Sequence, residues 1–141
     1  MILDLFELDN KVAIVTGANC GIGQAIAVGF AEAGADIVGV GRSDMKETKE
    51  MVESLDRKFL EVYADLISTS PIEEIISKSI EKYGHVDILV NNAGIIRRTC
   101  AIDYSEEDWD DVTNTNLKTL FFLSQAVAKE FMKQGNGGKI I

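Results

Sequence analysis

The chain has 141 residues, 46% of them hydrophobic, with 14 basic and 23 acidic side chains and a formal net charge of −9. That length allows one domain, which at this size buries about 68–70% of its unfolded surface. The acidic balance and the lack of a basic stripe argue against nucleic acid. No apolar run nears the ~18 residues of a membrane span, and no basic-then-apolar leader marks export, so a cytoplasmic protein is expected.

The first apolar run, Val12 to Val15, reads as a buried strand over about 11–16. It runs into Thr16-Gly17-Ala18-Asn19-Cys20-Gly21-Ile22-Gly23, after which Ile22, Ala25, Ile26 and Phe30 fall at helical spacing and predict a helix over about 21–33. Strand, glycine-rich turn and helix form an arrangement that cradles a dinucleotide pyrophosphate. The glycines let backbone approach phosphate, and the helix start offers free N–H groups and about +0.5 of a charge. Gly34 suits a left-handed position past the helix end. Ile37 to Val40 is a second strand, and Ser43 or Asp44 can cap a helix reaching about Asp56.

A third strand over about 58–64 leads to Asp65-Leu66. Ser70-Pro71-Ile72-Glu73 combines a cap, a proline at the first helical position and a reciprocal Glu, for a helix ending near Gly84. Val86 to Val90 is a fourth strand, leading to Asn91-Asn92-Ala93-Gly94. Ser105-Glu106-Glu107-Asp108 caps one long helix to about Gln134, and Gly135, Gly137 and Gly138 release the chain into a last strand, Lys139 to Ile141. Strands separated by helices make βαβ units. The expected fold class is therefore α/β, a Rossmann-type doubly wound parallel sheet of order 3-2-1-4 with a fifth strand beginning at the edge. The glycine turn, Asp65 and Asn91 to Gly94 then share the carboxyl edge of the sheet, where such folds bind dinucleotides. Cys20 and Cys100 make no metal or redox spacing, and His85 is the only histidine, so no metal site is expected.

Thr-Gly-x-x-x-Gly-x-Gly, then Asp-Leu, then Asn-Asn-Ala-Gly in that order resembles the short-chain dehydrogenase/reductase family, over the whole chain. The lead-in Met1-Ile2-Leu3 with Leu5-Phe6, the run Asn91 to Arg98 and the run Gln134 to Ile141 are most similar to its branch acting on sugar acids. The resemblance implies cofactor contacts by Gly17, Asn19, Cys20, Gly21, Ile22 and Gly23 at the phosphates. It implies Asp65 and Leu66 at the adenine, and Asn92, Ala93 and Gly94 along the ribose side. It points to NAD, whereas Arg42, where an NAD enzyme carries an acid, could accommodate the 2′-phosphate of NADP or stack on adenine. Periodicity alone makes Asn116 a solvated polar residue of a helix. By resemblance it is instead a catalytic residue, holding a water of the proton relay. Arg97 and Arg98 either grip a substrate carboxylate or are solvated loop charges.

In a complete member the implied reaction is hydride transfer between nicotinamide and a sugar-acid carbinol or ketone. A tyrosine acts as base, a lysine lowers its pKa and a serine orients the oxygen. Here Tyr63, Tyr83 and Tyr104 are followed four places on by Ile67, Asp87 and Asp108, so no Tyr-x-x-x-Lys is present. Residues 1–141 are expected to be the dinucleotide-binding part of a single-domain enzyme, homotetrameric when full length and inactive alone. A non-catalytic dinucleotide-binding module and an inactive remnant are the alternatives.

Overall fold

The computed structural model describes all 141 residues. Strand β1 (Val12–Thr16) is buried at every position, as an unbroken apolar run requires when both faces of a parallel sheet are covered. It pairs in parallel with β2 (Asp36–Gly41) and with β4 (Ile88–Val90), so that Ile14 lies opposite both Val38 and Leu89. Strand β3 (Phe59–Tyr63) extends the sheet beyond β2, and β5 (Lys139–Ile140) extends it beyond β4. The order is β3-β2-β1-β4-β5, the expected doubly wound sheet with the fifth strand at the edge.

Alternate β1 side chains face opposite layers, as a two-residue repeat demands. Val12 and Ile14 pack with Ile75 of α3 (Ile72–Tyr83) and with Leu123, Val127 and Phe131 of α5 (Leu120–Gln134). Ala13 and Val15 pack with Ala27 and Ala31 of α1 (Gly21–Glu32) and with Val52 of α2 (Lys46–Glu53). Full burial of one Val or Leu side chain contributes about 1.5–3 kcal/mol, so these two layers, not helix propensity, hold the crossovers in place.

Three expectations are corrected. Helix α2 begins at Lys46 with fully buried Met45 at the cap position, although the Asp44 carboxylate still accepts the Lys46 N–H at 3.0 Å from one residue further out. Anchoring Met45 in the core sets where the helix starts. The Ser70 capping box does not form. Pro71 takes the cap position, and the Ser70 hydroxyl bonds that of Ser68 at 2.7 Å instead. The long helix after Ser105 is divided into α4 (Glu106–Thr113), a π-helical turn (Asn114–Thr119) and α5. The buried stripe here is Thr115, Thr119, Leu123, Val127 and Phe131. Four-residue steps drift about 40° each on a regular helix; the wider turn offsets part of that drift at the end nearest the cleft. Ser105 does cap α4, accepting the Asp108 N–H at 3.1 Å.

Candidate functional site

The turn from β1 to α1 is fastened to the end of β2, because the Gly17 N–H donates to the Val40 carbonyl at 2.7 Å. Gly17 has φ +68°, and a Cβ there would stand 2.8 Å from the Asn92 amide nitrogen. A Cβ on Gly23 would overlap the Gly17 carbonyl, so the first turn of α1 packs directly on the loop. Cys20 is the N-cap in extended conformation and makes no side-chain cap bond. The N–H groups of Gly21, Ile22 and Gly23 have no acceptor within the protein, and the first helical turn carries no acidic residue. Free amides at the positive end of a twelve-residue helix form an anion cradle. The Asn19 amide donates to the Cys20 sulfur at 3.3 Å, so its donor steadies the turn.

The strand end of β4 is joined to this turn through one hydroxyl that sequence reasoning left without a role. Thr16 Oγ1 accepts the N–H groups of Asn92 (3.0 Å) and Ala93 (2.9 Å) and donates to the Val90 carbonyl (3.2 Å). The Asn92 amide donates back to the Thr16 carbonyl at 3.0 Å. Asn91 turns the other way, donating to the Ser124 hydroxyl on α5 at 3.1 Å. At the end of β3, Asp65 accepts the Ile67 N–H at 3.1 Å and faces Arg42 across 3.9 Å. Both side chains of that pair are more than half exposed, a weak pairing that solvent screens.

All twelve expected cofactor residues line one cleft of about 440 Å³ at the carboxyl edge of the sheet: Gly17, Asn19 to Gly23, Arg42, Asp65, Leu66 and Asn92 to Gly94. The cleft also takes in Val40, Gly41, Ser43, Ala64, Ile95 and Thr115, which carry no motif signal beyond adjacency to residues that do. A larger groove, about 1140 Å³, runs between α3 and α5 past Ile76 and Phe122. It contains none of the turn residues, so size alone does not locate the chemistry. No three His, Cys, Asp or Glu side chains cluster closely enough to hold a metal ion.

The remaining site residues lie beside the cleft. Asn116 sits in the π-helical turn, where its side chain accepts the Ile95 N–H and donates to the Ile95 carbonyl, both at 2.8 Å. It is therefore an engaged residue, not merely a solvated one. Both arms of the amide hold the strand exit. Arg97 reaches Asp108 at 3.4 Å and Asp111 at 3.1 Å, which ties the loop to α4. Arg98 is exposed and makes no ion pair.

A parallel sheet carrying a glycine turn, an Asp-Leu strand end and an Asn-Asn-Ala-Gly strand end around one cleft defines an α/β nucleotide-binding protein. The chain belongs to the short chain dehydrogenase family, whose profile matches residues 11–141. It is 53% identical over 141 residues to 2-dehydro-3-deoxy-D-gluconate 5-dehydrogenase of Escherichia coli (strain K12), covering 100% of this chain and 56% of that protein. It thus spans little more than half the length of the curated relatives it matches. A solved structure provisionally assigned as a 2-deoxy-d-gluconate 3-dehydrogenase from Agrobacterium tumefaciens, with bound NADP, aligns with a TM-score of 0.81 at 42% identity, over 96% of this chain and 53% of that one. Carveol dehydrogenase from Mycobacterium avium in complex with NAD aligns with a TM-score of 0.88 at 26% identity, over 95% of this chain and 54% of that one. These likenesses support a nicotinamide cofactor. No helix is long and apolar enough to cross a membrane.

Proposed function

We propose that residues 1–141 form the dinucleotide-binding part of an NAD(P)-dependent oxidoreductase acting on a sugar acid, 2-dehydro-3-deoxy-D-gluconate or 2-deoxy-D-gluconate, in the breakdown of polyuronates. The observation that carries this reading is the convergence of four separate strand ends on one cleft. The residues fit a dinucleotide. The glycine cradle leaves room, since a Cβ on Gly21 would meet nothing within 4 Å, and unpaired amides await an anion. When bound, the nicotinamide supplies or accepts the hydride.

The chain's own residues bind and orient. The start of α1 holds the pyrophosphate, Asp65 and Leu66 hold the adenine, and Asn92 to Gly94 flank the ribose. Arg42 discriminates NAD(H) from NADP(H), being the one charged group of the cleft besides Asp65. Asn116 fixes the Ile95 backbone and holds the water of the proton relay. Of the two arginines, Arg98 is the one free to meet a substrate carboxylate, because Arg97 is already neutralised by two aspartates. The exposed Leu117 of the π-helical turn and Phe121 of α5 offer apolar surface for the subunit contacts of a homotetramer, and the cytoplasm is its expected compartment.

Calorimetric titration of the full chain with NAD(H) and NADP(H) tests the reading. Binding of one or both is expected, and Gly21→Leu is expected to abolish it by filling the cradle. Gly21 has φ +57° but open space around it, so the substitution strains the turn without a clash elsewhere. A folded Gly21→Leu protein with unchanged affinity would refute the assignment of the pyrophosphate to this turn.

A further inference from the structure

Two side chains hold carbonyl groups of the phosphate turn. One is Asn92, from the β4 side. The other is Thr48 of α2, a residue in none of the motifs. The Thr48 side chain is fully buried, donates to the Ala18 carbonyl at 2.7 Å and accepts from Gln24 Nε2 at 3.0 Å. Ala18 lies within the turn and Gln24 in the first turn of α1, so a single hydroxyl braces both sides of the cradle.

The Ala18 carbonyl and the Asn19 N–H belong to one rigid peptide plane. Holding the carbonyl toward α2 therefore sets the direction of the N–H on the opposite side. That N–H has no acceptor within the protein, and Asn19 lines the cleft. We infer that Thr48 is a positioning residue for the cofactor, aiming the Asn19 amide at the pyrophosphate while touching neither the cofactor nor the cleft. Gln24 directs the hydroxyl by donating to its oxygen, which leaves the Thr48 proton for Ala18. This role rests on the dinucleotide reading above. It acts on a part common to NAD and NADP, so it contributes equally to both.

Thr48→Val keeps the shape and removes the hydroxyl, whereas Thr48→Ser keeps the hydroxyl and removes a buried methyl. In the full chain, Thr48→Val is expected to raise the Kd of NAD(H) and of NADP(H) by the same factor, about tenfold for one lost hydrogen bond. Thr48→Ser is expected to bind within about twofold of the unaltered protein, at most about a third of the free energy of that tenfold loss, even though it melts at a lower temperature. A purely structural role would make affinity follow melting temperature across the two variants. A folded Thr48→Val protein with unaltered affinity overturns the positioning role. If that variant does not fold, Gln24→Leu replaces it. Weaker binding of both cofactors is expected there too, and unaltered affinity again overturns the role. An unmodified full chain that binds neither cofactor would overturn the dinucleotide reading itself, a result distinct from either.

Discussion

Replacing Thr16 with valine preserves the volume and branching of a strand end but removes the hydroxyl on which two loops meet. Thr16 is 1% exposed, and its oxygen accepts two backbone N–H groups, from Asn92 at 3.0 Å and Ala93 at 2.9 Å, while donating to the Val90 carbonyl. Each polar group left unpaired in such a place costs roughly 1–3 kcal/mol. Both amides are only partly buried, so the low end applies to each, and the Val90 carbonyl retains a second lone pair. The expected loss is about 2 kcal/mol, a substantial share of the roughly 5–15 kcal/mol that holds a domain folded. Urea denaturation of the full chain measures it, with Thr16→Ser expected to recover most of the difference because the oxygen is restored. Cofactor affinity should fall in parallel, since Asn92 and Ala93 are steadied through the same atom. A Thr16→Val protein within about 0.5 kcal/mol of the unaltered one, the scatter of ordinary surface changes, would refute the argument that this hydroxyl joins the strand ends.

Arg42→Ala is expected to weaken NADP by about tenfold or more relative to NAD, since a charge-assisted hydrogen bond contributes about 1.5–3 kcal/mol. Equal effects in calorimetry on both cofactors would leave Arg42 as an adenine stack or a surface charge. Arg98→Ala should raise KM for the keto acid in the full enzyme while sparing a neutral sugar analogue; equal damage to both substrates would show a folding role. Tyr83 donates to the Ile37 carbonyl at 3.2 Å, and burial, with Asp36 and Glu53 adding to it, pushes its phenol well above the ordinary tyrosine value. The folded protein then holds that proton longer than the unfolded chain. The contribution is complete below about pH 10, the unfolded value, and is lost as pH rises beyond it. Tyr83→Phe should flatten the alkaline limb of the stability profile, and superimposable profiles would rule this out.

The order of the sheet and the location of the cleft were legible in the residues themselves. Val12 to Val15, Ile37 to Val40 and Ile88 to Val90 are apolar runs that only a sheet covered on both faces can bury. Right-handed crossovers leave few orders for such strands, and any of them brings the strand ends to one edge. That is why glycines near position 20, an aspartate at 65 and an asparagine at 92 could be assigned to one site before any contact was known. The tertiary structure alone decided which polar atoms meet. Asn116 holds Ile95 across 21 residues, Thr16 holds Asn92 across 76, Thr48 holds Ala18 across 30, and Arg97 is claimed by an aspartate 14 residues away. Such pairings leave no periodicity, because a hydrogen bond requires two atoms at one distance and angle rather than a repeating face. Hydrophobic burial is additive and non-directional, so it can be read from pattern. The direction of a single hydroxyl or guanidinium is set only when the packed backbone has brought its partner within reach.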